Sequence, residues 1–219
     1  MKRMSSLLIL AAMAVTLLAG CRGNVPAESS DNTGNSQTMP SATEQTGPSD
    51  ATTNPTDAIS GMANTESARI LAKIWESYGE NERFASYGGT VEHSVTDAPG
   101  DLDLSNTEEI VTKYMLPEAQ LPNVEEAASL VHLMNSNIFT GVVFRLKEGA
   151  DLSAVAKAVR TNVQQTRWIC GQPDRLLIAQ VEGQLLMAFG GTDAMNTFKG
   201  KLQAVYQNAA VLYDEAITA

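Results

Sequence analysis

Two histidines and two cysteines are the whole supply, in 219 residues, of the side chains that most often bind zinc or act as strong nucleophiles. A zinc site wants three or four His, Cys or acidic ligands at recognisable spacing, and the sequence has no such set. His93 stands alone, and His132 lies between Val131 and Leu133 in a strand-like pattern, which suits a structural or surface residue better than a ligand. Cys170 and His132 form the one nucleophile–base pairing on offer, yet nothing around either resembles a cysteine-hydrolase signature. Also missing are Gly-x-x-x-x-Gly-Lys-Ser/Thr, Gly-x-Gly-x-x-Gly and Gly-x-Ser-x-Gly, so phosphate cradles and nucleophile elbows lack support. Asp101-x-Asp103-x-Ser105 resembles the first half of a calcium loop. Its sixth position is Asn106 where glycine belongs, and its twelfth is Thr112 where a bidentate glutamate is needed. The sequence therefore predicts no catalytic residue, no metal and no cofactor. An envelope enzyme or small-ligand receptor using the acidic residues near Asp101 and Asp103 stands as the alternative.

Positive charge is also scarce. Lys and Arg number 15 against 25 Asp and Glu, a formal net charge of −10, so nucleic acid and anionic headgroups are poor partners. The imbalance sits in the first half of the folded region: residues 61–130 hold 13 acidic and 4 basic side chains, residues 131–219 hold 7 and 8. That acidic half reads either as a solvated surface or as an attractor of cations and basic partners.

Long apolar runs are absent except at the start. Lys2 and Arg3 precede an apolar stretch from Leu7 to Leu18, then Ala19-Gly20-Cys21. This is the three-part secretory signal pattern, and its apolar part falls short of the roughly 20 residues that span a bilayer. With its Leu-x-Ala-Gly-Cys box the segment resembles a bacterial lipoprotein signal peptide, cut before a cysteine that carries diacylglycerol and further acyl chains such as palmitate. The other reading is an ordinary cleaved signal in which Cys21 is incidental. Lipid on Cys21 implies an anchor on the extracytoplasmic face of the cell membrane, with two or three chains giving stable attachment. It also leaves Cys170 without a partner for an internal disulfide, so the domain relies on its apolar core.

Residues 1–20 are thus the signal peptide, and 21–61 are the lipidated cysteine and a tether. The tether is Ser, Thr, Asn, Asp, Gly, Pro and Gln with scarcely an aliphatic side chain. Such composition cannot offset the entropy of ordering, and a flexible coil of this length reaches roughly 35 Å.

Residues 62–219 read as an α+β domain. A helix is predicted over Thr65–Tyr78, capped by Asn64 or Thr65, with Ile70, Leu71, Ile74, Trp75 and Tyr78 on one face and Gly79 as its stop. Ser105-x-x-Glu108 is a capping box ahead of a second helix that Pro117 ends. Thr90–Val95 is a candidate short strand. Ala127–Asn135 and Gly141–Lys147 read as strands, followed by a helix capped by Asp151 and lined by Leu152, Val155, Ala156, Val159 and Val163. Leu176–Val181 and Gln184–Phe189 form a hairpin around Glu182-Gly183. Thr192 or Asp193 caps a last helix bearing Met195, Phe198, Leu202, Val205 and Tyr206, and Val211–Tyr213 adds an edge strand. The order strand-strand-helix occurs twice, so the expected fold is an antiparallel sheet with helices packed on one face, a ββαββα unit preceded by one or two helices.

One segment stands out by composition, Arg167-Trp168-Ile169-Cys170-Gly171-Gln172-Pro173-Asp174-Arg175. Arg167, Trp168 and Arg175 make a candidate interaction loop, because Trp and Arg dominate binding hot spots. Alternatively Trp168 and Ile169 plug the core while Arg167 and Arg175 sit in water.

Glu108–Leu116, the run Leu130-Val131-His132-Leu133-Met134-Asn135, the strand Gly141–Lys147 with its Asp151–Val163 helix, and the strands around Glu182-Gly183 together resemble a family of lipoproteins of Gram-positive anaerobes that carry a domain of unknown function. The resemblance runs from about Thr107 onward, and departs at Trp168–Pro173, which is shorter here. It implies no activity, ligand or catalytic residue. The expected function is a non-enzymatic, membrane-anchored surface lipoprotein whose domain binds a protein or cell-envelope partner.

Overall fold

A computed structural model describes residues 64–169 and 171–218; the expected signal peptide and tether, with Cys21, and also Cys170 lie outside the described residues. The fold opens with α1 (Glu66–Glu76), where Thr65 Oγ1 accepts from the Ala68 N–H and so satisfies one of the helix's orphan donors. The same hydroxyl donates to Asp101 Oδ1 at 2.6 Å, tying the helix start to the sheet. Ile70, Leu71, Ile74 and Trp75 are fully buried along one face, as their spacing predicts.

Three short strands follow: β1 (Ser86–Gly88), β2 (Val95–Thr96) and β3 (Gly100–Asp101). Of the strand suggested over Thr90–Val95, only Val95 is extended. Thr90–Ser94 make the turn that lets β2 pair back on β1. Next come α2 (Thr107–Thr112), a 3-10 turn at Glu118–Asn123, then β4 (Val124–His132) and β5 (Phe139–Leu146). α2 starts one residue later than the expected capping box. Asn106 Oδ1 accepts from the Glu109 N–H while Asn106 Nδ2 donates to Glu109 Oε2, leaving Ser105 to hydrogen-bond Asp103. The remaining elements are α3 (Leu152–Gln165), β6 (Arg175–Val181), β7 (Gln184–Gly190), α4 (Thr192–Val205) and β8 (Ala210–Ala216). Asp151 caps α3 as predicted. For α4 neither Thr192 nor Asp193 does so. Gly191 occupies the cap position, and the Asp174 carboxylate, brought in from the start of β6, accepts from the Thr192 N–H at 2.8 Å.

The eight strands form one antiparallel sheet in the order β2-β1-β4-β5-β7-β6-β8, with β3 also on β4. The α+β class and the twofold strand-strand-helix order hold. Helix placement differs from the expected single-face cover. Val155, Val159 and Val163 of α3 pack with Val142, Phe144, Ile178 and Met187. Met195, Phe198 and Leu202 of α4, with α1, pack with Val143, Leu177, Leu186 and Ala188. Successive residues of one strand point to opposite faces, so α3 and α4 cover opposite faces. The cause is visible in the strands: all seven residues of β7 are buried, and such two-sided strands need cover on both sides.

The β6–β7 hairpin is the tight turn the sequence announced, with Glu182 at φ 48° and Gly183 at φ 82°. A left-handed pair of that kind matches the twist of the flanking strands.

Candidate functional site

The two ends of the sheet differ. At one end the chain enters, since the Ser67 N–H donates to Glu126 and Ser67 Oγ to Gln184 at the start of β7. At the opposite end lie the β4–β5 turn (133–138), the segment between α3 and β6, and the β7–α4 junction. Gly190 pairs with both Phe139 and Arg175, which brings these three segments together.

This second end carries the exposed large apolar side chains that the core does not use: Met134 is 80% exposed, Ile169 91%, Leu133 53% and Ile138 42%. Val91 and Val211 are exposed elsewhere. The β4–β5 turn is anchored from both sides. The Leu133 N–H donates to the Ala85 carbonyl, and Asn137 Nδ2 donates to the Gly171 carbonyl at 2.6 Å. The turn is therefore a fixed ridge rather than a loose loop.

A cleft flanks the ridge on each face of the sheet. The first, about 610 Å³, is lined by Lys113, Met115, Met134, Arg167, Trp168, Ile169 and Phe189 among others. Trp168 rests its ring on Phe189 at 5.1 Å and packs against the core, as the plugging alternative had it. Its indole Nε1 is buried with no hydrogen-bond partner among the described residues. Ile169 does not plug anything; two side chains that alternate along an extended segment cannot both face inward, and Trp168 takes the inner place. Met115 lines the floor with φ at 56°, an uncommon conformation for a long side chain. Asn162 Nδ2 holds its carbonyl at 3.0 Å, and Thr166 Oγ1 approaches its sulfur.

The second cleft, also about 610 Å³, is lined by Tyr78, Glu82, Phe84, His132, Ile138, Asp174 and Asp193 among others. His132 stacks on Phe84 at 5.2 Å, and its Nδ1 accepts from the Met134 N–H, fixing the ridge from within. The Thr192 N–H and hydroxyl hold the Asp174 carboxyl below the usual carboxylate range.

Of the sequence-singled residues, Arg167 and Trp168 share the first cleft. Arg175 does not join them: it begins β6 and pairs with Asp214 at 2.6 Å. Asp101 and Asp103 are engaged locally, Asp101 by Thr65 and Asp103 by the Ser105 N–H and hydroxyl, which keep its carboxyl below the usual range. Neither lines any of the clefts described above. Among the described residues, no group of three or more His, Cys, Asp or Glu is placed to hold a metal ion, and no helix is long and apolar enough to cross a membrane.

The exposed apolar ridge escaped the sequence reading, although Leu133-Met134 flanking the polar run Asn135–Asn137 was a signal for it. An apolar pair at a turn between two buried strands has no core left to enter.

A third cleft, about 630 Å³, lies at the other end of the sheet between the β6–β7 hairpin and the end of α4. Tyr206 lines it, its hydroxyl buried without a hydrogen-bond partner among the described residues, and burial and the nearby Glu182 push its phenol well above the usual range. Set against known proteins, the chain matches no family model, no curated protein and no solved structure.

Proposed function

We propose that this chain is a membrane-anchored binding protein of the cell envelope, held by lipid on Cys21 at the extracytoplasmic face and acting without chemistry of its own. In this reading the mature chain belongs with the Gram-positive lipoproteins its sequence resembles, and the ridge at 133–138 is its binding surface.

One observation carries the reading. The exposed apolar side chains Leu133, Met134, Ile138 and Ile169 gather at the end of the sheet opposite the point where the chain enters the fold. A patch at the end of the sheet opposite the start of α1 is open to partners, and exposed clusters of this kind mark interaction sites. A half-buried aromatic beside the patch, Trp168, and an adaptable pair of methionines, Met115 and Met134, are the residue types that binding surfaces favour.

The test has two parts. Mass spectrometry of the mature N-terminus reads the lipid on Cys21, and an unmodified thiol there would remove the anchor. Capture from envelope extracts, native chain against Met134→Asp, reads the surface. Retention that is equal for the two variants would remove the ridge from the account.

A further inference from the structure

We infer that the ridge end is a self-complementary surface on which a second copy of this chain docks. The inference rests on the reading of that end as the binding surface, and it names the occupant.

The two clefts beside the ridge carry opposite charge. The first is lined by Lys113 and Arg167 and by no carboxylate. Lys113 is bound to Glu109 at 2.9 Å, but Arg167 has no ion-pair partner among the described residues. The second is lined by Glu82, Asp174 and Asp193 and by no lysine or arginine. Glu82 is bound to Lys201, Asp174 is held only by Thr192, and Asp193 has no ion-pair partner among the described residues. An unpaired cation therefore stands on one face of the sheet and two carboxylates without a cation on the other, with the exposed apolar ridge between them.

That arrangement suits one symmetry. Two copies meeting ridge to ridge about a twofold axis in the plane of the sheet, crossing its strands, exchange faces. The positive cleft of each then meets the negative cleft of the other. In such an isologous contact each residue pair occurs twice. Arg167 of one copy faces Asp193 or Asp174 of the other, and the reverse pair repeats across the axis, while Met134 lies near the axis and meets its own counterpart. The apolar side chains leave water at the centre, and the charged pairs lie at the rim and set the orientation. A heterologous apolar partner would explain the ridge but not the matched opposite charges on its two sides. Both copies carry the start of α1 at the outer ends of such a pair, away from the contact.

The test is cysteine cross-linking of the full chain in cell membranes, in a Cys170→Ser background carrying Met134→Cys. The expected result is an oxidant-dependent species of twice the mass. Arg167→Glu should weaken it roughly tenfold, the size that two rim pairs together supply, and so should Asp193→Arg. Combining Arg167→Glu with Asp193→Arg restores opposite signs and should recover it, which also shows that neither single change acts by unfolding. Absence of the doubled species, or a yield indifferent to Arg167→Glu, overturns the inference. A Met134-dependent adduct with a different protein overturns it as well, and in that case the proposed envelope-binding function stands. Loss of both adducts together with unchanged capture by the Met134→Asp variant would remove the proposed function too.

Discussion

At the scale of single residues, the tightest demands fall where strands β1 and β3 meet end to end along β4. A Cβ on Gly88 would lie 2.1 Å from the Gly100 N and 2.4 Å from the Ser129 carbonyl oxygen, both backbone atoms that cannot yield. Gly88→Ala is expected to destabilise the domain by about 3 kcal/mol, at the severe end of overpacking, read as a lowered denaturant midpoint. Beside it lies a closed ring of buried hydrogen bonds. Tyr114 Oη donates to the Gly89 carbonyl, Ser129 Oγ donates to Tyr114 Oη, and the Gly89 N–H donates to Ser129 Oγ. Burial raises the Tyr114 phenol, so the hydroxyl keeps its proton and remains a donor. Tyr114→Phe strands the Gly89 carbonyl and should cost about 1–3 kcal/mol. Because the ring acts as a unit, the double change Tyr114→Phe with Ser129→Ala should cost less than the sum of the two single changes in equilibrium unfolding. None of this was readable from Gly88-Gly89 or Tyr114 as letters, since the partners lie 15 to 40 residues apart in the chain.

At the scale of elements, α1, α3, α4 and strands β4 to β7 were legible because their apolar periods are long and clean. The short pieces were not. β1, β2 and β3 have two or three residues each, too few to show a period; β1 and β3 exist because the edge of β4 offers unpaired backbone groups, and β2 because β1 in turn offers its own. α4 shows the same dependence at its N-terminus: its cap comes from Asp174, eighteen residues upstream. For α1 the cap is local, and Thr65→Ala should cost about 1 kcal/mol, somewhat more through the lost bond to Asp101. The edge strand β8 is fastened by charge. Asp214 is held below the usual carboxylate range by Lys199 and Arg175, and Glu215 by Arg160 and Gln164. A carboxyl depressed in the folded state adds stability above its unfolded pKa, and that part is lost as pH falls through the folded value. The thermal midpoint should therefore drop as pH is lowered below about 4. The double variant Asp214→Asn, Glu215→Gln should start lower at neutral pH and show a shallower acid decline. These pairs are largely solvated, so the effect is modest.

At the scale of the whole molecule, the contrast lies between a sheet buried on both faces and one end left greasy. Phe144 is fully buried in the centre, and Phe144→Ala should cost about 3–5 kcal/mol. Met134→Asp and Ile169→Asp lie on the ridge end and should leave the unfolding free energy within about 0.5 kcal/mol of the native chain. The same two changes should reduce capture of any partner and the self-association inferred above. A large stability loss in either would mean that these side chains serve the core after all. Part of the candidate site was visible beforehand: Arg167 and Trp168 declared themselves by composition, whereas Met134, Asp174 and Asp193 joined it only because Gly190 draws three distant segments to one end.

Whereas α2 stops at Thr112, well before Pro117, and β8 runs on to Ala216, local chemistry alone determined the signal-like start, the polar stretch after Cys21, the approximate extents of α1, α3, α4 and strands β4 to β7, the Glu182-Gly183 turn and the lack of any recognisable metal or nucleophile motif. These depend on neighbours within a few residues, where backbone preference and apolar period act. Tertiary structure decided which face each helix covers, which carboxylate caps α4, and that an apolar ridge stands between oppositely charged clefts. Those outcomes depend on where the sheet brings residues far apart in the chain, and a two-sided strand reads the same in sequence whichever side its helix takes.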